Sequence, residues 1–325
     1  MPSSNHESGL TDESATVRVT LLDGGSFSTA DMSKLHANAK PDSFRLYDWC
    51  FHVFHPSSGR HILWDVGISS DRSAYTPLVL DVQWGSANPV GPGNTLHEQL
   101  EALDVSCEQI DTVIFSHAHW DHCRPIQSEF PKAKGLFGGG TKTHCSPGHL
   151  DNGVATTKSL WDGRFFDSDG YASENWAEIT GEWKQFGPFE RALDFFGDGS
   201  FMVIDAPGHM PGNLAAAARL NSNGDAPSWI VLASDCCHSR ELLDGHADFA
   251  YFDVPGGKAC LHDDVNAAKD TLRRLQEAEK GHGMHVAMAH DVEWLRQGSD
   301  EVLMSILPTE NREHFLQAVR AGEAP

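Results

Sequence analysis

Short apolar runs, each ending in a turn or a polar side chain, recur along the chain. Their lengths and their content of β-branched and aromatic residues are typical of β-strands. The first run ends at Asp23-Gly24-Gly25, which predicts a turn, and the second and third are joined at Pro56-Ser57-Ser58-Gly59. The predicted strands are residues 17–22, 44–54, 61–66, 111–116, 201–206, 229–234 and 285–289.

Three segments have the pattern of helices. One begins at Asn94 or Thr95, and Glu98 stands three residues after Thr95, as in a capping box. Residues 263–280 place apolar side chains along one face, and residues 309–321 form a terminal helix. Strands that alternate with helices predict an α/β fold.

Two stretches fit neither pattern. Residues 69–93 contain several prolines and glycines together with Trp84, which predicts an irregular insertion. Residues 141–200 hold many aromatic residues without clear periodicity. These rings either form a cap over a functional site or pack as a small satellite core. We expect residues 1–15 to be a disordered tail and residues 16–325 to be a single domain that contains both insertions.

Charge and cysteine content limit the classes of binding partner and the cellular location. The chain of 325 residues has 24 basic and 46 acidic residues, a formal charge of −22, which argues against a nucleic-acid or anionic-membrane partner. It has no run of about 18 apolar residues, as a membrane span requires. The N-terminus lacks the basic and apolar parts of a secretion signal, and the seven cysteines show no paired spacing. We therefore expect a cytoplasmic protein.

Four potential metal-binding side chains lie within the segment His117-Ala118-His119-Trp120-Asp121-His122, directly after a predicted strand. Imidazole and carboxylate groups at this spacing suit two adjacent divalent ions, zinc by default and iron, manganese or cobalt as alternatives. His117 and His119 are expected on one ion, Asp121 and His122 on the other. A solvated histidine-rich loop is the alternative interpretation.

Three further residues follow predicted strands: His209, Asp235 and His290. Each alone could be an ordinary turn residue. Loops at strand ends converge on one rim of a sheet, so their recurrence favours a single site with the histidine cluster.

These motifs together resemble the metallo-β-lactamase superfamily. The resemblance covers roughly residues 17–292, including Pro207-Gly208-His209, Ser234-Asp235 and Trp64-Asp65-Val66-Gly67. It implies an αβ/βα sandwich, with two mixed sheets, outer helices and a dinuclear metal site at one edge. It also implies that Asp65 holds a ligand histidine in one tautomer, although Asp65 could instead be a structural turn residue.

The resemblance implies a division of the ligands. His117, His119 and His209 would hold one ion, Asp121, His122 and His290 the other, and Asp235 would bridge them. True β-lactamases of this fold place Cys or Ser at the bridging position, whereas lactonases, thioesterases and nucleases place Asp. The neighbouring Cys236 and Cys237 are expected to pack, with soft metal ligation as the alternative.

The expected activity is the opening of a lactone by a hydroxide that bridges the two ions. Asp121 and Asp235 would orient this nucleophile or carry its proton. The layout is similar to that of quorum-quenching N-acyl-homoserine lactonases, in which a Tyr three residues after the bridging Asp contacts the substrate carbonyl. Here that position is His238, which could donate the same hydrogen bond or face elsewhere.

Two alternatives remain at this point. The first is a thioesterase or another carboxylic-ester hydrolase on the same site, and the second is a metal-containing binding protein without turnover. The substrate is expected to be a small ester or lactone with an apolar acyl part. A homodimer also stays open.

Overall fold

Two six-stranded sheets form the framework of the protein in the computed structural model, which describes residues 15–29, 31–167, 170–221, 227–308 and 312–321. In the first sheet the strands follow the order β1-β2-β3-β4-β5-β8, with antiparallel pairing up to β3 and parallel pairing beyond it. These strands are β1 (Arg18–Thr29), β2 (Phe44–His55), β3 (Arg60–Trp64), β4 (Ile110–Ile114), β5 (Lys134–Phe137) and β8 (Trp176–Glu178).

The second sheet has the order β16-β13-β12-β11-β10-β9, and only its β13–β16 pair is parallel. Both sheets are therefore mixed. Its strands are β9 (Lys184–Phe186), β10 (Phe189–Asp194), β11 (Phe201–Asp205), β12 (Leu214–Leu220), β13 (Ser228–Ser234) and β16 (His285–Met288). Two short hairpins lie outside the sheets: β6 (Leu150–Asp151) with β7 (Val154–Ala155), and β14 (Phe252–Val254) with β15 (Gly257–Ala259).

The main core lies between the two sheets. Trp49 and Trp64 from the first sheet and Phe201 from the second are at most 1% exposed and belong to one apolar cluster. The indole of Trp49 also donates a hydrogen bond of 2.8 Å to the Asp291 carbonyl oxygen, which satisfies its buried N–H. Burying side chains of this size stabilises the fold by about 1.5–3 kcal/mol each.

Helices cover the outer faces. The longest, α7 (Val265–His282), packs Leu272 and Leu275 on the second sheet, and it begins at Asp264, whose side chain caps it. The others are α1 (Pro77–Val79), α2 (Gly85–Ala87), α3 (Leu96–Glu101), α4 (Thr141–Cys145), α5 (Gly163–Phe166), α6 (Arg240–Asp244), α8 (Glu293–Gln297), α9 (Glu301–Ser305) and α10 (Arg312–Ala321). Across the described ranges, none of the helices has the length and apolarity needed to cross a bilayer.

The predicted fold class is confirmed, since two mixed sheets with outer helices are what the resemblance implied. The capping box at Thr95 and Glu98 is present. The turn predicted at residues 23–25 is wrong, because β1 continues to Thr29 through a bulge at which the Asp23 carboxylate accepts the Gly25 N–H.

The two insertions also differ from expectation. Residues 77–87 form consecutive helical turns, with a π-helical stretch at Leu80–Trp84 between α1 and α2. In the second insertion, Phe165 and Phe166 pack on the outer face of the first sheet and Phe189 packs on the second. The satellite-core interpretation therefore accounts for most of these rings. The tail predicted at residues 1–15 lies outside the described residues except for Ala15, which is buried.

Candidate metal centre

The loop after β4 carries the histidine cluster into the gap between the sheets. Its backbone turns back at His119, whose carbonyl oxygen accepts the N–H groups of His122 and Cys123 at 3.1 and 2.8 Å. The loop is anchored from below by Asp65, which accepts the Ser116 N–H at 2.6 Å. This compact turn points successive side chains of the cluster to a common centre.

Three imidazole nitrogens meet on one side of this centre. His119 Nδ1 lies 3.0 Å from His117 Nε2 and 2.9 Å from His209 Nε2. Tetrahedral zinc with bonds of about 2.0–2.1 Å would separate its ligand atoms by about 3.3 Å. These three nitrogens and a carboxylate oxygen of Asp235 all lie within 4.8 Å of one another. The group could hold one metal ion.

A second group lies beside the first. His122 Nε2 and His290 Nε2 approach the Asp121 Oδ2 atom to 3.8 and 3.9 Å. Asp48, which the sequence analysis missed, belongs to the same group of potential ligands. A signal for it existed, since Asp48 is an acidic residue inside the apolar run of residues 44–54.

Asp235 lies between the two groups. Its Oδ1 atom is 3.3 Å from His122 Nε2 and 3.2 Å from His290 Nε2. Its Oδ2 atom is 3.5 Å from His209 Nε2 and 3.8 Å from His117 Nε2. The Oδ2 atom also lies 3.3 Å from His290 Nε2, so the two oxygens share that ring. The carboxylate as a whole contacts imidazoles of both groups, as a bridging ligand requires.

In three of the histidines, the Nδ1 atom, which points away from the centre, has a hydrogen-bond acceptor. His122 Nδ1 donates to Asp65 Oδ2 at 3.0 Å. The Ser116 hydroxyl donates to the same Asp65 oxygen at 2.7 Å and can accept the N–H of His117 Nδ1 at 3.0 Å. His290 Nδ1 donates to the Tyr47 carbonyl oxygen at 2.7 Å. With the proton on Nδ1, each of these rings turns the lone pair of Nε2 towards the centre.

Burial and mutual proximity set the charge states. Burial, reinforced by neighbouring histidines, holds the pKa of His117 and His209 well below the usual value, so both rings are neutral and free to bind a cation. Burial also acts to raise the pKa of Asp235, but His290, His122 and His238 hold that pKa well below its usual range. Burial acts to lower the pKa of His122 and His290, but Asp235 and other nearby carboxylates hold it well above the usual value. The first group therefore offers neutral imidazoles, whereas His122 and His290 must each release a proton to bind a cation.

The residues present fit two divalent ions. His122 Nε2 and Asp235 Oδ1 are buried, face the centre and have no hydrogen-bond partner among the described residues. Unpaired buried polar atoms are costly, and a cation between them would remove the cost. The nitrogen and oxygen donors are those that zinc and similar ions prefer.

His238 lies at the rim of the centre. Its Nε2 atom is 3.1 Å from Asp235 Oδ2, and its side chain is 7% exposed. His262, which the sequence analysis did not single out, packs its ring 5.2 Å from that of His238. His262 follows a hairpin and not a sheet strand, so no strand-end signal marked it. Cys236 and Cys237 are buried and belong to the apolar cluster on the outer face of the second sheet.

A cavity of about 440 Å³ opens onto the centre. Trp120 and Phe27 line it, as do Val79 and Gln83 from the first insertion. Of the aromatic residues in the second insertion, only Trp161 lines it among the described residues. The cap interpretation of residues 141–200 thus holds for one ring only, and the first insertion supplies another part of the cavity wall.

Comparison with known proteins agrees with this geometry. The family profile described as Metallo-beta-lactamase superfamily matches residues 50–124. The metallo-hydrolase mfmC of Annulohypoxylon moriforme is 30% identical over 87% of this chain and 81% of its own length. The gamma-lactamase FDB1 of Fusarium pseudograminearum is 24% identical over 87% and 76%. A cytochrome P-450 monooxygenase of Penicillium brevicompactum, mpaDE′, is 27% identical over 86% of this chain, which spans only 34% of that protein.

Solved structures share the fold. A mutant of AiiA from B. thuringiensis with N-decanoyl-L-homoserine at its active site superposes with a TM-score of 0.60 at 17% identity, covering 87% of this chain and 96% of that one. AidC, described as a dizinc quorum-quenching lactonase, has a TM-score of 0.53 at 12% identity, with coverages of 86% and 92%. The matched profile, the relative at 30% identity and the shared fold lead to one conclusion: the chain belongs to the metallo-β-lactamase superfamily and is a metal-dependent hydrolase.

Proposed function

We propose that this hydrolase holds two divalent ions, zinc by default, and opens the ring of a lactone. The observation that carries the dinuclear part is the position of Asp235, whose carboxylate lies 3.2–3.8 Å from imidazole nitrogens of both groups. In this proposal His117, His119 and His209 hold one ion, Asp121, His122 and His290 hold the other, and Asp235 contacts both.

Two ions bound there would supply positive charge that polarises an ester carbonyl and acidity that makes water nucleophilic near neutral pH. The protein's own groups then orient the reactants. Asp235 and Asp121 carry acceptor oxygens at the centre, and they fix the direction of the attacking water and receive its proton. Asp121 can then pass this proton to the alkoxide leaving oxygen.

His238 is assigned to the substrate carbonyl. Its Nε2 atom lies 3.1 Å from Asp235, and His238 also lines the cavity. An imidazole N–H there can donate to the carbonyl oxygen, which gains negative charge as the tetrahedral intermediate forms. This is the role that the resemblance gives to a tyrosine in lactonases.

The cyclic substrate is favoured by what the relatives act on. One curated relative is a gamma-lactamase, and the structural neighbours include lactone hydrolases. Both names describe attack on the carbonyl of a ring. The alternative is a thioesterase or another carboxylic-ester hydrolase, because the same carbonyl chemistry serves an acyclic substrate.

A panel of lactones assayed beside acyl-thioesters and acyclic esters separates these two proposals. We expect ring opening, followed as acid release, with a higher kcat/KM on at least one lactone than on any acyclic ester. Turnover of thioesters without turnover of lactones would reject the lactonase proposal. Metal analysis on the same sample should find about two divalent ions per chain, and about one or none would reject the dinuclear assignment.

The cellular location is also proposed. All seven cysteines are free thiols, which agrees with the reducing conditions of the cytoplasm. Fractionation of cells that express the full-length protein tests this directly.

A further inference from the structure

We propose that the substrate contains a planar aromatic ring that carries an oxygen substituent, and that Trp120 and Trp161 bind this ring. The proposal rests on the proposed function and narrows it from lactones in general to aryl lactones. It also assigns two specificity-determining residues that are not metal ligands.

Trp120 is held rigidly at the centre. It stands between His119 and Asp121 in the chain, and its ring lies 5.4 Å from Phe27 at a tilted angle. Behind it, Trp84 is at 5.5 Å and Tyr75 at 6.3 Å, both edge to face. Such pairs contribute about 0.5–1.5 kcal/mol each beyond the burial of area. The indole is therefore a fixed surface and not a mobile side chain.

Trp161 presents a second indole beside the first group of ligands. Its ring is nearly parallel to that of His119, at an angle of 13° and a centroid distance of 5.9 Å. His144 packs against it edge to face at 5.3 Å. Trp120 and Trp161 line the same cavity of about 440 Å³ as His119, Asp235 and His290. A ligand whose carbonyl reaches the centre therefore occupies a cavity with both rings in its walls.

The indole N–H groups add a polar requirement. Two tryptophans use this donor within the protein: Trp49 donates to the Asp291 carbonyl and Trp176 to the Phe165 carbonyl. Among the described residues, neither Trp120 nor Trp161 has an acceptor for its indole N–H, and neither N–H is a buried, unpaired atom. Both residues line the cavity, so a ligand with oxygen acceptors could use these donors.

Together these features favour an oxygenated ring over an aliphatic chain. Val79, Leu160 and Leu261 complete an apolar lining that either ligand could use. An alkyl chain is stabilised there only by burial of apolar area. An aromatic ring also makes oriented contacts with the two indoles, and its hydroxyl or methoxy oxygen can accept hydrogen bonds from the indole N–H groups. A cavity of this size encloses a fused bicyclic lactone.

The proposal is tested with metal-loaded protein and matched substrates. A benzo-fused lactone with a ring hydroxyl or methoxy group is compared with the unsubstituted benzo-fused lactone and with its cyclohexane-fused analogue. We expect kcat/KM to fall roughly two- to tenfold at each step, the range expected for one aromatic contact and for one partly exposed hydrogen bond. An equal or higher value for the cyclohexane-fused analogue would overturn the proposal.

Variants assign the effect to the two indoles. Trp161→Leu should abolish the preference for the aromatic over the cyclohexane-fused lactone. Trp120→Phe keeps a ring but removes the N–H, so it should reduce the preference for the oxygenated ring and leave the metal content unchanged. Trp229→Phe is the matched control, because Trp229 is half-buried, packs on Phe186 at 4.9 Å and lies outside this cavity.

A binding readout separates this proposal from the proposed function. The oxygenated ring without a scissile bond, for example a hydroxylated phthalan, should quench indole fluorescence in the wild type and in Trp229→Phe, and less in Trp161→Leu. If the ring compound binds in this way but no lactone is hydrolysed, the proposed function fails and the aromatic site stands. If lactones are hydrolysed and the three variants show equal quenching and equal preferences, the aromatic site is rejected.

Discussion

Asp48 Oδ1 lies 3.0 Å from Nδ1 of His290, and both side chains are buried. Asp48 belongs to β2 of the first sheet, whereas His290 follows β16 of the second. The Tyr47 carbonyl accepts from the same nitrogen at 2.7 Å. Since Nδ1 is held from this side, Nε2 faces Asp235. One half of the candidate metal centre therefore depends on a residue supplied by the opposite sheet.

Replacing this carboxylate should weaken the second metal site. In Asp48→Asn the negative charge behind His290 is lost, so the ring becomes a weaker ligand. We expect the affinity for the second ion to fall about 10–100-fold, with activity falling in parallel at limiting metal. Titration of the metal into the metal-free protein in an isothermal calorimeter measures the affinity for the second ion. Asp198→Asn is a matched control, because Asp198 pairs with His55 at 2.7 Å away from the centre. Equal losses in both variants would contradict the role of Asp48.

Asp235 should be the least replaceable side chain of the centre. Asp235→Asn keeps the shape but leaves only one oxygen, so it can no longer serve both groups of imidazoles. We expect about one ion per chain to be lost and activity to fall by about a hundredfold or more. Elemental analysis and steady-state kinetics on one preparation measure both. Asp205→Asn removes a surface carboxylate paired with Arg191 and should leave both readouts unchanged. Full activity in Asp235→Asn would reject the mechanism.

Gly208 should tolerate no side chain. It has φ +133°, and a Cβ atom there would collide with the backbone nitrogen of Ala268 in α7. The turn is tied to that helix, since the Gly208 and His209 carbonyls accept the N–H groups of Asp264 and Asp263 at 3.0 Å. Gly208→Ala should therefore lower the free energy of unfolding by about 3 kcal/mol or more and displace His209.

Gly256→Ala provides the comparison for this glycine. Gly256 also has a positive φ, +99°, but open space surrounds its Cβ position. Only the conformational cost applies, about 1 kcal/mol. Denaturant unfolding of both variants checks the difference. A loss in Gly208→Ala no larger than that in Gly256→Ala would show that the turn moves freely.

His52 should make the fold sensitive to acid. It is 4% exposed and lies with Nε2 3.0 Å from His61 Nδ1. Burial, with a smaller effect of His61, lowers the pKa of His52 from 6.5 to about 4. Between these values the unfolded chain binds a proton that the native protein does not, so stability present above pH 6.5 is lost as the pH falls towards 4. The loss is about 3 kcal/mol at most.

The variant His52→Gln removes this titration. The Tm of the variant should fall less than that of the wild type between pH 6.5 and 4, as measured by calorimetry on the metal-loaded protein. His97→Gln, at an exposed histidine paired with Glu101, should follow the wild-type profile. If the His52→Gln and wild-type profiles run parallel, His52 is not the group responsible.

The sequence predicted the residues that meet at the candidate metal centre because their signal is local. Each candidate, such as His209 or Asp235, directly follows an apolar strand, and strand ends meet at one rim wherever sheets form. The sequence motif also identified Asp65. Its carboxylate contacts His122 at 3.0 Å, as the resemblance implied. Asp48 was missed although its place inside an apolar run marked it, and His262 carried no strand-end signal. Their positions matter because Asp48 contacts His290 and His262 packs on His238, pairs that no spacing along the chain records.

The chain by itself determined the alternation of strands and helices, the donor set and the family, since these depend on periodicity and on motifs a few residues long. Only the tertiary structure decided which rings reach the cavity. Trp161 lines it whereas Phe165, four residues later, is buried in the outer core. It also decided that the Asp235 carboxylate lies between the two groups of imidazoles. These outcomes depend on how two sheets pack together, and packing joins residues far apart in the chain.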